Sequence, residues 1–340
     1  MALRDAAGLL IRIAAEVRPL LTQGELPQYI PRLTQVCKAQ FGISLAGLGG
    51  HESVAGDADV PFSIQSISKL FALMLALEHV GDTLWHRVGK EPSGTPFDEL
   101  TQIDHERGAT RNPFINAGAL VVTDVLCSRF AQPELALLQS LRRLSGDERV
   151  DIDQVVMRSE RDSCHRNASI AHLLKSYGRI DNDVDVVLDT YCRQCAITMS
   201  CRQVARSAMP LAVSGEITGA SEGSNRLSEA QRHIVNALML TCGTYNASGD
   251  FATRVGLPLK SGVGGGIVAI LPGVGALCAW SPGLDATGNS VAAGRAVEIF
   301  AQQTGSSVLR LSRKQEGDPV AYRSIGASVV VDASGIESAL

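Results

Sequence analysis

Two short stretches hold residues whose types and spacing suit nucleophilic chemistry. In FSIQSISKLFAL, residues 62–73, Ser66 stands three positions ahead of Lys69. On a helix that spacing puts both side chains on one face. If the helix begins at Ser66, its unpaired backbone N–H groups point at the serine oxygen. A lysine in a dry pocket sheds its proton, because burial disfavours the ammonium form. The neutral amine then takes the hydroxyl proton and makes the serine a nucleophile. This is the S-x-x-K arrangement of serine acyl-transfer enzymes. A motif this short recurs by chance. Ser66 or Ser68 as a plain cap and Lys69 as a solvated charge fit the same letters.

The second stretch is LKSGVGGGIVAIL, residues 259–271. Its Lys260-Ser261-Gly262 matches the K-[ST]-G of the same enzyme class and recurs by chance less often. It lies just ahead of a strand signal, where glycines let a substrate and a second backbone approach closely. The N–H of Val263 and that of Ser66 would then serve as oxyanion donors. A dinucleotide-binding reading of these glycines fails, since they precede a strand and no β-α-β unit surrounds them. The third element of the penicillin-recognising set, S-D-N, does not occur in the chain.

These residues need elements to hold them. Helical periodicity marks residues 66–80, 115–130, 170–178, 199–215, 227–243 and 289–305. Ser228 and Gln231 fit a capping box, and Gly243 and Gly305 fit helix stops. Strand signals cluster at the ends, in residues 43–50, 265–280 and 324–333. Residues 265–280 read as two strands around a Pro-Gly turn, an antiparallel hairpin. Helices between flanking strands predict an α+β fold, not a doubly wound sheet. Residues 143–153 read as a polar surface loop and 312–319 as a linker.

Composition narrows the function. The 340 residues are 45% hydrophobic and 19% charged, with net charge −4 and 4% aromatics. That balance argues against nucleic acid as a partner. No apolar run is long enough to span a membrane. The opening MALRDAAGLLIRIAAEVRPLL is broken by Asp5, Arg12, Glu16 and Arg18, so it reads as a short amphipathic helix and not a signal peptide. A cytoplasmic location is therefore expected. Among eight cysteines, Cys192 and Cys195 form C-x-x-C with Cys201 nearby. No further ligand pair completes a zinc site, so buried thiols are the expectation.

In order along the chain, GDADVPFSIQSISKLFAL, VGKEPSGTPF (88–97), RNPFINAGAL (111–120), SERDSCHRNASIA (159–171), DTYCRQCAITMSC (189–201), CGTYNASGDFATRVGLPLKSGVGGGI (242–267) and SPGLDATGNSVAAGRA (281–296) resemble the serine-dependent glutaminases. PQYIPRL (27–33) resembles that family's opening helix, and the likeness runs from about residue 22 to 305. It implies a β-lactamase/transpeptidase-like α+β fold: a mainly antiparallel sheet flanked by helices, with a helical subdomain at about 80–220. It implies hydrolysis of L-glutamine to L-glutamate and ammonia, without a metal or organic cofactor, by a homodimer or homotetramer. Residues 1–305 would form the single catalytic domain, and 306–340 an extension of unknown role.

Carried over by position, the resemblance makes Ser66 the nucleophile, Lys69 its activator and Tyr245 a second catalytic group. Asn116, Glu160, Asn167, Tyr191 and Val263, with Ser66 and Tyr245, would contact substrate. The residue types suit that task. Glutamine carries an α-ammonium, which a carboxylate such as Glu160 holds by a charge-assisted hydrogen bond. Asn116 and Asn167 suit the α-carboxylate, and the tyrosines suit proton traffic near departing ammonia. His165 lies between Glu160 and Asn167 and receives no role. Two alternatives share the fold: another serine acyl hydrolase, disfavoured by the absent S-D-N, and a non-catalytic glutamine-binding protein.

Overall fold

The C-terminal hairpin is the seed of the main sheet. In the computed structural model, β7 (Gly266–Leu271) and β8 (Gly275–Trp280) pair antiparallel, and Pro272 and Gly273 lie in the tight turn between them. Gly273 adopts a φ of 73°, a conformation glycine takes without strain. β1 (Gly42–Gly47) adds to β8, β2 (Glu52–Gly56) to β1, and β6 (Leu259–Ser261) to β7. The result is one antiparallel sheet in the order β2-β1-β8-β7-β6.

Both faces of this sheet are covered. Successive side chains of a strand point to opposite faces. Ile267, Ala269 and Leu271 join one apolar cluster with α1 (Ala6–Val17) and the last helix of the fold, Val291–Thr304. Val268 and Ile270 join the other, built mainly by the helical half of the chain. The expected sheet between helices is what the chain forms. The structure describes residues 5–28, 30–94, 100–215 and 227–310. The expected linker at 312–319 and strand at 324–333 lie outside the described residues.

The helical half is wrapped around α2 (Ser68–Val80), in which every residue from Ser68 to Leu77 is buried. The sequence pattern suggested an amphipathic helix, but its neighbours close over it on all sides. They include α4 (Asn116–Arg129), α5 (Pro133–Ser145) and α8 (Val184–Cys195). Between α2 and α4 lies the short α3 (Leu100–His105). α6 (Gln154–Ser163) and α7 (His165–Ser176) follow one another with only Cys164 between them.

The middle of the chain is not purely helical. β3 (Phe62–Ser63), β4 (Asp151–Ile152) and β5 (Ile197–Met199) form a second sheet in the order β3-β5-β4. The expected loop at 143–153 thus ends in a strand. Two or three residues are too few for an alternating pattern to register. The helix expected over 199–215 is α9 (Cys201–Ala208), continued by a 3-10 turn to Ala212. Pro210 cannot donate an N–H to extend the α-helix. α10 (Glu229–Cys242) starts on the predicted Ser228–Gln231 capping box. α11 (Ser248–Arg254) and, after the hairpin, α12 (Val291–Thr304) complete the fold, with Gly305 left-handed at the end of α12.

Candidate active site

Ser66 sits just ahead of α2 and not in its first turn, where a helix beginning at Ser66 would place it. Gln65–Ile67 forms a 3-10 turn, and α2 begins at Ser68. Gln65 takes a φ of 48°, a strained backbone for a residue with a side chain. Its amide nitrogen is held 3.0 Å from Glu160 Oε2 and 3.0 Å from Ser63 Oγ. Buried side-chain bonds therefore hold the sharp turn that presents Ser66.

The K-S-G segment packs directly against this turn. A Cβ at Gly262 would collide with the Ile64 carbonyl and crowd the N–H groups of Ser66 and Ile67. One at Gly264 would collide with the Ser63 carbonyl. Only bare backbone fits there, so the end of β6 reaches Ser66 and Val263 lies beside it. Both line one cavity of about 280 Å³ with Asn116, Glu160, Asn167 and Tyr191. That cavity therefore gathers six of the eight sequence-derived site residues. His165 is exposed at the start of α7 and is not among its lining residues.

The other two reach the site through hydrogen bonds. Lys69, 3% exposed, directs Nζ to Asn116 Oδ1 at 2.5 Å and to the Phe114 carbonyl at 3.3 Å. Asn116 donates from Nδ2 to Asn167 Oδ1 at 2.8 Å, and the Tyr191 hydroxyl lies 3.4 Å from Asn116 Oδ1. Asn116 thus connects the lysine with the rest of the pocket from the first position of α4. Tyr245 has a φ of 55°, in the turn before α11. Its hydroxyl hydrogen-bonds with Ser66 and with the Val263 N–H, and lies 3.5 Å from the Ser261 carbonyl.

Burial sets the protonation states. It lifts the Glu160 carboxyl to about 7, against hydrogen bonds from Gln65 and Cys195 that favour the anion. Burial pushes Tyr245 up to about 12, opposed by its bond with Ser66, and Tyr191 well above the ordinary phenol value. Both tyrosines are neutral donors near pH 7. Glu160 is thus a carboxyl poised between charge states at neutral pH.

Three contributors were missed in the sequence. Gln65 lies inside the quoted motif, but nothing in its neighbours announces a left-handed backbone. Cys195 bonds to Glu160 from the C-x-x-C that read as core. Lys260 was visible as the lysine of K-S-G, yet its task was not. It is wholly buried, with Nζ 2.6 Å from the Ser261 carbonyl, 3.2 Å from that of Gly243 and 5.0 Å from the Tyr245 ring centre. Burial, followed by the nearby Lys69, holds it well below the usual lysine value. It therefore packs beneath the Tyr245 ring and ties the Ser261 and Gly243 carbonyls together. Among the described residues, no group of three His, Cys, Asp or Glu is placed to hold a metal ion.

The geometry suits acyl transfer to a buried serine beside one ionisable carboxylate. A family model described as Glutaminase matches residues 24–309. A glutaminase of Paraburkholderia phytofirmans is 51% identical over 302 residues, covering 89% of this chain and 99% of that protein. A glutaminase of Ralstonia nicotianae is 49% identical over 304 residues, covering 89% and 99%. The crystal structure of the covalent complex between a Bacillus subtilis glutaminase and 5-oxo-L-norleucine, formed with 6-diazo-5-oxo-L-norleucine, matches with a TM-score of 0.79. It is 32% identical over 89% of this chain and 100% of that one.

Proposed function

The chain belongs to the glutaminase family and hydrolyses L-glutamine to L-glutamate and ammonia, and from that premise we propose that the reaction passes through an acyl-enzyme on Ser66. The observation that carries this reading is the meeting of three segments at one cavity: the Ser66 turn, the Lys69–Asn116 pair and the K-S-G strand. The covalent complex of the similar Bacillus subtilis protein is compatible with such a route.

In the first half-reaction Ser66 Oγ attacks the side-chain amide carbon while Lys69 takes its proton. A neutral lysine amine donating to Asn116 and Phe114 retains its lone pair for that proton. The N–H groups of Ser66 and Val263 stabilise the oxyanion as the carbonyl becomes tetrahedral. The C–N bond then breaks, and nitrogen leaves as ammonia with a proton delivered through Lys69 or Tyr245. Water attacks the resulting ester, returns a proton to the same groups and releases L-glutamate. Glu160 pairs with the α-ammonium, and Asn116, Asn167 and Tyr191 orient the rest of the amino acid.

The decisive experiment is ammonia release from L-glutamine by wild-type and Ser66→Ala protein. The expected result is loss of turnover in a variant whose circular dichroism is unchanged. A Ser66→Ala protein that works at the wild-type rate overturns the acyl-enzyme. The same reading takes the protein as a cytoplasmic homodimer or homotetramer, which light scattering and cell fractionation test. Among the described residues, no helix is long and apolar enough to cross a membrane.

A further inference from the structure

The wall of the cavity carries a thiol that amide hydrolysis does not use. Cys164 lines it at the break between α6 and α7, immediately before the first turn of α7. The Arg161 guanidinium lies 3.4 Å from its sulfur and bridges to Asp185 of α8 at 2.7 Å. Behind it, the wholly buried thiol of Cys192 on α8 hydrogen-bonds with that of Cys164. Both are free thiols.

The two sulfurs are unequal. The hydrogen bond from Cys192, followed by Arg161, holds Cys164 below the ordinary thiol value against the opposing effect of burial. The same hydrogen bond, and then burial, pushes Cys192 up. Thiolate character beside a guanidinium and a helix N-terminus marks a nucleophilic cysteine. A protonated thiol in contact behind it is placed to resolve an oxidised one.

We propose that Cys164 and Cys192 form a peroxide-sensitive modification site in the wall of the glutamine pocket, Cys164 attacking and Cys192 resolving. The proposal rests on the reading of this cavity as the glutamine site. The Cys164 thiolate attacks one oxygen of hydrogen peroxide. The O–O bond breaks, hydroxide leaves and takes up a proton as water, and Cys164 becomes a sulfenic acid. Cys192 sulfur then attacks Cys164 sulfur, the S–O bond breaks and a second water departs with the thiol proton. Two thiols lose two electrons, and peroxide becomes two waters.

The bond fixes the two sulfurs about 2 Å apart and so pulls the α6–α7 break toward α8. Glu160, Asn167 and Tyr191 stand on the segments that move. A displacement of about 1 Å in such groups costs on the order of a hundredfold in turnover. Cys201 and Cys278 make a similar hydrogen-bonded pair, but both are wholly buried and neither lines this cavity. They serve as an internal control, as does the exposed Cys37.

The test is graded oxidation of the full chain with hydrogen peroxide, alkylation of the remaining thiols and peptide mapping beside ammonia release. The expected product is a Cys164–Cys192 cross-linked peptide, lighter by two hydrogens than its parts. Turnover falls in step with it, and dithiothreitol restores both. L-glutamate in the cavity slows the reaction at Cys164 and leaves Cys37 unaffected. Cys192→Ala forms no such peptide and leaves a dimedone-reactive sulfenic acid on Cys164. Cross-linking of Cys201–Cys278 first, or a Cys164 that stays reduced while Cys37 reacts, overturns the proposal. A complete Cys164–Cys192 cross-link with undiminished turnover overturns its placement in the glutamine pocket. Failure of the pocket reading shows separately, as a Ser66→Ala protein that still releases ammonia.

Discussion

Glu160 is the residue whose environment makes the sharpest statement about function. Burial holds its carboxyl near 7; in the role proposed for it, the substrate ammonium must draw out a proton below that value. The expected outcome is a kcat/KM for glutamine that rises with pH through about 7. Glu160→Gln flattens that limb and raises KM, as initial rates across the pH range will show. Stability runs the other way in the empty protein. The folded value lies above the unfolded 4.5, so this group's contribution is complete below about 4.5 and lost as pH rises through about 7. Wild type should therefore lose up to about 3 kcal/mol relative to Glu160→Gln over that window, read from urea midpoints. Lys260 offers a second test. Lys260→Met keeps most of the stem but removes the donor to the Ser261 and Gly243 carbonyls. Turnover should drop by about a hundredfold with KM changed little, since Tyr245 loses its support.

At the scale of elements, the site is the seam between the β6 end and the turn into α2. Neither Gly262 nor Gly264 tolerates a side chain at the contact. Gly264→Ala should cost about 2 kcal/mol or more, because its methyl meets the Ser63 carbonyl and not a movable side chain. Turnover should fall further than stability explains, as Val263 is displaced along with residue 264. Denaturation midpoints and kcat on the same preparation separate the two effects. Burial of α2 on all sides has a related consequence. Its first turn cannot drift, so Lys69 is positioned by the whole helical half and not by a loop.

For the whole molecule, two apolar layers enclose the sheet, and the helical layer also forms the pocket. The described fold is complete once α12 packs on the sheet and the Val308 N–H bonds to the Gly256 carbonyl. Residues Met1–Leu309 make one compact unit. A chain ending at Arg310 should therefore fold with a wild-type circular dichroism spectrum and retain glutamine turnover. Loss of ammonia release on that truncation would assign residues 311–340 a part in catalysis or assembly.

Sequence by itself determined what local chemistry and periodicity specify. The 265–280 hairpin follows from two apolar runs around Pro272-Gly273, and α10 follows from its Ser228–Gln231 box, because their signals lie within a few residues. Ser66 with Lys69, and Lys260-Ser261-Gly262, raised the expectation of acyl transfer for the same reason. The ordered motifs then named the family. Tertiary structure decided what depends on residues far apart in the chain. β4 and β5 exist only because partners 47 residues apart in sequence, such as Asp151 and Thr198, come to lie side by side. Gln65 bears its left-handed backbone because Glu160, 95 residues away, holds its amide. The Glu160 value near 7 and the unequal thiols of Cys164 and Cys192 likewise arise from burial and contact. Those are properties of the assembled interior, and no stretch of sequence contains them.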